Sequence, residues 1–176
     1  MPTHTLARLA PFRDGQNTVN VIVETPKGSR NKYNYNPDLE VFELGGVQPE
    51  GSTFPYDFGF VPSTKGGDGD PLDVLLIMDE PAPMGCLVEA RLIGVIEAEQ
   101  TEDGEAGRND RLLAVAEHAK THSHIKTLTD LRPGLLDEIE HFFIAYNQVK
   151  GKEFKPLRRG DAETARKLVE ESRTDG

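Results

Sequence analysis

An acidic segment, Asp68-Gly69-Asp70-Pro71-Leu72-Asp73, places three carboxylates within six residues. Asp68 and Asp70 point to the same side of the chain if its backbone is extended, and Asp73 follows at the start of an apolar run. Like charges this close repel each other, so the cluster needs a positive charge in its midst. Oxygen ligands favour Mg²⁺, Mn²⁺ or Ca²⁺ over zinc or copper. The segment predicts a site for a hard divalent cation, with an acidic surface turn as the simpler alternative.

The spacing of the segment excludes an EF-hand calcium loop. If Asp68 were the first ligand of such a loop, its third carboxylate position would be Leu72 and its required glycine would be Asp73. The closing glutamate of the loop would be Asp79. None of these residues has the side chain that the loop requires.

The composition sets limits on the class of protein and on its partners. The length of 176 residues predicts one domain, spanning residues 1–176. A formal net charge of −10 argues against a nucleic acid or an anionic membrane as partner, and an anionic substrate would need bound cations or well-placed Lys and Arg. No apolar run approaches the ~18 residues of a membrane span, and residues 1–14 lack the apolar region of a signal peptide. The single cysteine, Cys86, excludes a disulfide framework, so we expect a cytoplasmic protein.

The hydrophobic pattern predicts several short strands followed by two helices. The predicted strands cover residues 18–24, 41–44, 74–78, 86–97 and 111–117. Gly45 and Gly46 are predicted to end the second strand, Gly94 to form a bulge, and residues 100–109 to be an exposed loop. Strands followed by helices predict the α+β class, with a small barrel or curled sheet and the helices packed outside it.

Both predicted helices have recognisable ends. Asp130 is the predicted cap of the first helix, with Pro133 in its first turn, and Gly151 is predicted to end it. Between them runs a wide apolar stripe, which identifies the buried face of this helix. Asp161 is the predicted cap of the second helix.

The order of motifs resembles the soluble family I inorganic pyrophosphatases over nearly the whole chain. The matching segments are VIVETPKGSRNKY (21–33), FPYDFGFVP (54–62), DGDPLDVL (68–75), DRLLAV (110–115), HIK (124–126) and HFFIAY (141–146). The resemblance implies an α+β fold, a small five-stranded OB-like β-barrel with flanking C-terminal helices. It also implies Mg²⁺-dependent hydrolysis of inorganic pyrophosphate to two phosphates, with Mn²⁺ as the alternative metal. By analogy with bacterial relatives, it implies a homo-oligomer, with a hexamer as the expected size.

The resemblance assigns roles to the acidic residues of the predicted site. Asp68 and Asp73 match carboxylates that hold Mg²⁺, and Asp70 matches the carboxylate that activates a metal-bridged water as general base, beside its place among the metal ligands. Glu24 matches an acid that organises metal-bound water. Asp103 lies near the place of a further metal-binding aspartate.

Three further residues match groups that bind the substrate. Lys32 and Tyr146 match phosphate-contacting residues of the family. Arg111 stands where the family has a lysine, and its guanidinium is suited to clamping a phosphate.

Several positions depart from the family pattern, and their residues lack the acid, cation or hydroxyl that the family carries there: Asn34, Gly46, Phe54, Phe58, Asn109 and Asn147. Asn109 stands for a metal-binding aspartate, unless Asp110 substitutes for it through a shift of one residue. In a strand such a shift turns the side chain to the other face.

Three functions are therefore open at the level of sequence. The first is an Mg²⁺-dependent pyrophosphatase with a remodelled substrate shell. The second is a metal-dependent hydrolase of another phosphoanhydride, which the apolar Phe54 and Phe58 would suit. The third is a non-catalytic homologue that binds metal, phosphate or a protein partner.

Overall fold

The computed structural model describes residues 6–13 and 17–174. Its strands, in chain order, are β1 Thr18–Thr25, β2 Asn31–Asn36, β3 Val41–Val47, β4 Asp57–Phe60, β5 Asp73–Ile77, β6 Leu87–Glu102, β7 Glu105–Arg108, β8 Arg111–Ala116 and β9 Glu153–Asp161. Its helices are α1 Leu135–Val149 and α2 Ala162–Glu171, with short 3₁₀ turns at Leu6–Arg8 and Leu128–Asp130. No helix of the described residues combines the length and apolarity needed to cross a membrane.

Five strands form a closed barrel. They are hydrogen-bonded in the order β1, β4, β5, β8 and β6, and β6 returns to pair with β1. The pairings are antiparallel apart from β5 with β8, which run parallel. The strands β7 and β9 pair with the C-terminal half of β6, and β2 and β3 form a separate hairpin. The prediction of an α+β fold with a five-stranded OB-like barrel is confirmed.

The apolar run that follows the acidic segment is buried on both faces. In β5, Val74 and Leu76 pack in a cluster that includes Val169 of α2. Their neighbours Leu75 and Ile77 lie in the opposite cluster, which includes Phe143 of α1 and other aromatic rings. Because successive strand residues point to opposite faces, a continuous apolar sequence fits a strand covered on both sides. The first residue of β5, Asp73, is therefore attached to a fully packed strand.

A glycine in the neighbouring strand allows the barrel to close tightly. A Cβ atom at Gly59 of β4 would lie 2.3 Å from the backbone oxygen of Ile22 in β1. A backbone oxygen cannot rotate away as a side chain could, so this crossing of β1 and β4 requires glycine.

Two predicted boundaries in the β-structure were wrong. Gly45 and Gly46 do not end β3, because the strand continues to Val47 and Gly46 pairs with Lys32. Residues 100–109 are not an open loop: β6 runs to Glu102, and β7 returns beside it after a two-residue turn. That turn is Asp103-Gly104, with φ angles of 52° and 79°. Two positive φ angles and an Asp-Gly sequence are typical of a tight hairpin turn.

The predictions for the helices were correct except at one end. Asp161 caps α2, because its carboxylate accepts a hydrogen bond from Thr164 N at 2.8 Å. Gly151 follows α1 with a φ of 74°, as expected of a residue that ends a helix. Asp130, however, belongs to the 3₁₀ turn before α1, and Gly134 occupies the N-cap position. The carboxylate of Asp130 instead accepts hydrogen bonds from the backbone N–H groups of Lys126 and Thr127.

The predicted bulge at Gly94 is confirmed, whereas the strands β2, β4, β7 and β9 were not among the predicted ones. The pairing of β6 with β8 shifts register between Leu92 and Gly94. A Cβ atom at Gly94 would lie 2.5 Å from Leu128, which explains the glycine. The residues of β9 are largely exposed and alternate little in polarity. Its partner is residues 94–101 of β6, and only Phe154 of β9 joins the apolar core, so no apolar face marked this strand in the sequence.

Candidate active site

A cavity of about 510 Å³ brings opposite charges together beside the start of β5. Its acidic lining residues are Glu24, Asp68, Asp70 and Asp73. The basic and phenolic residues that face them are Lys32, Arg111, Lys150, Lys152, Tyr35 and Tyr146. We call this space the site cavity. It is large enough for a diphosphate, and it contains the acidic segment and all three predicted substrate-binding residues.

The acidic segment forms a tight turn at the rim of the site cavity. Gly66 N donates a hydrogen bond to Asp70 O at 2.7 Å, and Gly69 adopts a φ of 89°. Asp68 accepts a hydrogen bond from Asp70 N at 3.0 Å. Partial removal from water raises the pKa of the Asp68 carboxyl, and the charges of Asp73 and Asp70 raise it further. Within the described residues, the exposed Asp70 carboxylate accepts no hydrogen bond, so it remains available to a ligand in the cavity.

Asp73 lies deeper, at the first position of β5. It pairs in register with Arg111 of the parallel strand β8, and Arg111 Nη1 lies 2.5 Å from Asp73 Oδ2. Burial raises the pKa of Asp73, the guanidinium of Arg111 lowers it, and the charge of Glu24 raises it again. The arginine is therefore the cation that holds this carboxylate in the absence of a metal.

Arg111 is fixed by aromatic rings as well as by Asp73. It is 4% exposed, and its guanidinium carbon lies 4.9 Å from the ring centre of Phe143, 5.4 Å from Phe154 and 5.8 Å from Phe58. Rings at these distances attract a cation through their quadrupoles. Nη1 also donates to Asn109 Oδ1, while Nε is buried and has no hydrogen-bond partner among the residues that the structure describes. Because Arg111 is held so firmly, its charge has a fixed position beside the cavity.

Lys32 and Glu24 form a second buried pair. Lys32 Nζ lies 3.5 Å from Glu24 Oε2, donates to Tyr33 O at 2.9 Å and sits 4.7 Å from the ring centre of Phe58. Glu24 also accepts a hydrogen bond from Tyr35 N at 2.9 Å. The same Phe58 ring thus contacts two cations of the site, Lys32 and Arg111.

Tyr146 projects from α1 into the same cavity. Burial raises its pKa to about 12, so the phenol keeps its proton at any physiological pH and can donate a hydrogen bond. Its ring stacks on Phe142 at 5.8 Å and meets the edge of Phe54 at 5.7 Å. Phe54 is 1% exposed and belongs to the core rather than to the cavity lining. Of the two phenylalanines that replace tyrosines of the family, only Phe58 faces the cavity.

Asp110 lies outside the site cavity. Its carboxylate accepts hydrogen bonds from Ala98 N at 2.9 Å and from Arg108 Nη2 at 2.9 Å, and it lines a neighbouring cavity together with Asp68 and Asp73. Asn109 lines both cavities. The strand alternation explains this: Asn109 and Arg111 share one face, and Asp110 points to the other. Asn109 therefore occupies the position that faces the site cavity, and the role of Asp110 as a metal ligand stays a prediction.

Asp103 lies at the edge of the region. It is exposed in the turn between β6 and β7 and lines a groove that adjoins the site cavity and shares Asp68 with it. It does not line the site cavity itself. A ligand bound between the two spaces could contact both carboxylates, but Asp103 is not part of the inner group.

The donor set suits a hard divalent cation, although it is not preassembled. Among residues 6–13 and 17–174, no three His, Cys, Asp or Glu side chains converge as a ready metal site. The available donors are carboxylate oxygens, which Mg²⁺ and Mn²⁺ prefer. Burial is the main reason why the pKa values of Asp68 and Asp73 are raised, and neighbouring carboxylates raise them further. A bound cation would favour the ionised forms of both carboxylates, so the residues present fit such an ion.

Two other departures from the family pattern differ in the space around them. A side chain at Gly46 would meet nothing within 4 Å, so this position is open. Asn147 is 3% exposed, and its Nδ2 donates to Phe143 O at 2.8 Å within α1. Neither residue supplies a charge to the cavity.

Four polar residues that line the site cavity were not identified from the sequence. They are Tyr35, Gln100, Lys150 and Lys152. Lys150 could have been found from its spacing, because residues four apart on a helix share a face and Tyr146 precedes it by four. Tyr35, Gln100 and Lys152 lie in or beside strands whose pairing was not predicted, namely β2 with β3, β6 with β7 and β6 with β9.

Comparisons with known proteins agree on one family. The family model described as inorganic pyrophosphatase matches residues 21–175. An inorganic pyrophosphatase of Nostoc is 38% identical over 162 residues, which cover 92% of this chain and 94% of the relative. The crystal structure of the Thermus thermophilus inorganic pyrophosphatase superposes with a TM-score of 0.86 at 33% identity, covering 96% of this chain and 97% of that one. The crystal structure of an inorganic pyrophosphatase from Neisseria gonorrhoeae superposes with a TM-score of 0.84 at 36% identity. The match covers 93% of this chain and 94% of that one.

The barrel and these relatives define an enzyme, a hydrolase that acts on the phosphoanhydride bond of pyrophosphate. The chain belongs to the inorganic pyrophosphatase family.

Proposed function

We propose that the protein hydrolyses inorganic pyrophosphate to two phosphates in an Mg²⁺-dependent reaction, with Mn²⁺ as the alternative metal. The observation that carries this proposal is the site cavity, where four carboxylates face Lys32, Arg111 and Tyr146. A dianionic or more highly charged substrate needs fixed cations and hydrogen-bond donors, and the carboxylates provide the ligands for a metal. The carboxylates and the substrate-binding residues line the same site cavity.

The chain's own residues divide the work of the reaction. Lys32 and Arg111 bind and orient the phosphate groups through charge-assisted hydrogen bonds, and neutral Tyr146 donates a further one. Asp70, with its carboxylate directed to the cavity, takes the proton of a water whose oxygen bonds to one phosphorus while the bridging P–O bond breaks. Mg²⁺ held by Asp68, Asp70 and Asp73, with Glu24 beside it, would neutralise substrate charge and acidify that water.

Phosphate release tests the function directly. The purified protein should release phosphate rapidly from pyrophosphate in the presence of Mg²⁺, and much more slowly from nucleoside triphosphates. Release from nucleotides but not from pyrophosphate would instead support a hydrolase of another phosphoanhydride. If neither substrate is cleaved while Mg²⁺ still binds, the protein is a non-catalytic homologue.

Removal of the metal should abolish activity and lower stability. We expect EDTA to stop pyrophosphate hydrolysis, and Mg²⁺ to restore it. At roughly 100 times its Kd, a ligand that binds only the native state adds about 2.7 kcal/mol, which corresponds to about 5–10 °C in Tm. Differential scanning fluorimetry with Mg²⁺ and with EDTA measures this shift. Equal Tm and equal activity under both conditions would show that the carboxylates are only an acidic surface turn.

We also propose a cytoplasmic homo-oligomer, with a hexamer as the expected size. The free thiol of Cys86 suits a reducing compartment. Several large apolar side chains are exposed on β3 and on α1, which favours burial against another copy: Val41, Leu44, Val47, Ile144 and Val149. Light scattering after size exclusion should give about six times the mass of one chain, and a mass of one chain would refute the assembly.

A further inference from the structure

Lys150 adds a cation to the site cavity that the reaction scheme above does not use. It directly follows α1 and lines the cavity together with Lys32, Arg111 and Lys152. Lys152 is paired with Glu102 at 3.3 Å. Lys150, by contrast, makes no ion pair with a carboxylate in the described parts of the chain. Its charge is therefore available to an anion.

The ammonium of Lys150 is oriented by Tyr146. Nζ donates a hydrogen bond to Tyr146 Oη and lies 4.1 Å from the centre of the same ring. Because Lys150 uses a lone pair of the phenol oxygen, the Tyr146 hydroxyl proton can be donated elsewhere. Two donors, one charged and one neutral, thus lie side by side at the cavity.

The charges that face Lys150 are mostly positive. Partial withdrawal from water and the charges of Lys32 on β2, Lys152 before β9 and Arg111 on β8 lower the pKa of Lys150 to about 8, and Asp73 on β5 opposes them. Positive charges that repel one another in the free protein attract an anion in common. A bound phosphate would remove that repulsion.

We propose that Lys150 binds a phosphate group of the diphosphate at the mouth of the site cavity, an inference that rests on the pyrophosphatase function proposed above. Its location supports this assignment. Lys150 also lines a small pocket together with Lys32, Tyr146 and the open position Gly46, so it faces the β2–β3 hairpin across the entrance. An exposed lysine after a helix usually interacts only with the carbonyl groups and the negative dipole at the helix C-terminus. Here the same position also contributes to a cluster of substrate-binding groups.

The test compares Lys150→Gln with Lys155→Gln, which removes the same charge from an exposed lysine of β9 outside the site cavity. Loss of one charge-assisted contact should raise KM for pyrophosphate about tenfold in Lys150→Gln, with a smaller change in kcat. The Kd for imidodiphosphate, a non-hydrolysable analogue, should rise by a similar factor in calorimetry. Lys155→Gln should stay within twofold of the wild type.

Two further variants separate binding from a structural role. Lys150→Arg keeps its charge at high pH, so its KM should stay low where the wild-type KM rises above pH of about 8 as Lys150 loses its proton. Lys150→Gln should lack this rise. Adding Gly46→Arg to Lys150→Gln should recover affinity, because the open position faces the same pocket.

The results distinguish this inference from the proposed function. If wild-type protein hydrolyses pyrophosphate and Lys150→Gln changes KM and Kd less than twofold, Lys150 does not bind substrate, and the function stands. If wild-type protein does not hydrolyse pyrophosphate, the function fails, and calorimetry with imidodiphosphate still decides the role of Lys150. If circular dichroism shows that Lys150→Gln is misfolded, the pH dependence of KM in Lys150→Arg decides instead. A pH dependence equal to that of the wild type would overturn the inference.

Discussion

Asp70→Asn should lower kcat for pyrophosphate by about 10²–10⁴-fold, the usual contribution of general acid–base catalysis. The carboxylate of Asp70 reaches the site cavity and accepts no protein hydrogen bond within the described residues. Asparagine has nearly the same shape but cannot accept the proton of the attacking water. Because other carboxylates remain to hold the cation, the Kd for Mg²⁺ should change far less than kcat.

Asp73→Asn is the matched control for this prediction. Asp73 lies against Arg111 at the base of the cavity, where loss of its charge removes a metal ligand rather than a base. We expect Asp73→Asn to weaken Mg²⁺ binding and to recover part of its activity at high Mg²⁺. Calorimetric titration with Mg²⁺ and steady-state kinetics separate the two effects. Equal loss of Mg²⁺ affinity in both variants would falsify the assignment of base and ligand.

Arg111→Ala should damage both stability and catalysis. The substitution leaves Asp73 without its partner, and breaking a buried ion pair from one side costs about 3–5 kcal/mol. It also removes a cation from three aromatic rings and a phosphate-binding group from the cavity. Loss of a charged hydrogen bond of about 1.5–3 kcal/mol should lower kcat/KM at least tenfold. We therefore expect Arg111→Ala to approach Asp73→Asn in its effect on activity.

Arg132→Ala provides the control for Arg111→Ala. Arg132 forms an ion pair with Glu138 in which both side chains are largely exposed, so its removal should cost less than about 1 kcal/mol. Urea unfolding in EDTA and in Mg²⁺ measures both variants. The destabilisation by Arg111→Ala should be smaller in Mg²⁺, because a bound cation can replace the lost charge beside Asp73. If Arg111→Ala and Arg132→Ala behave alike in stability and in kcat/KM, Arg111 holds neither the carboxylate nor the substrate.

Local signals predicted four of the five barrel strands, β1, β5, β6 and β8, and the family resemblance supplied the five-stranded barrel itself. The alternating valines of β1, the buried run of β5 and the glycine bulge of β6 are recognisable without knowledge of their partners. By contrast, β9 has mostly exposed residues and depends on its pairing with β6. Gly45 and Gly46 predict the end of a strand, yet the pairing with β2 continues past them, through Gly46 to Val47. Such tertiary effects override local preference.

The site was predictable where function depends on closely spaced residues. Asp68, Asp70 and Asp73 are neighbours in sequence, so their meeting in one cavity required little knowledge of the fold. The orientation of Asp110 depended on one residue of register. The alternation of side chains in the chain entering β8 directs it to a neighbouring cavity, which Asp68 and Asp73 also line. The ring contacts that fix Arg111 join β4, β8, β9 and α1, and no local pattern indicated them.

The strand β6 has a consequence for how the protein reaches its native state. Its sixteen residues pair with β1, β8, β7 and β9, which are four of the seven strand pairings that the described residues make in the large sheet. The partners of β6 come from both sides of it in the chain, as in Val21 with Val88 and Glu97 with Arg158. Contacts between residues so far apart must overcome a large loop-closure entropy, and folds dominated by them form in milliseconds to seconds. During synthesis, β6 emerges from the ribosome before β9 has been made. Until β9 pairs with it, the edge of β6 is open to pairing with another nascent chain.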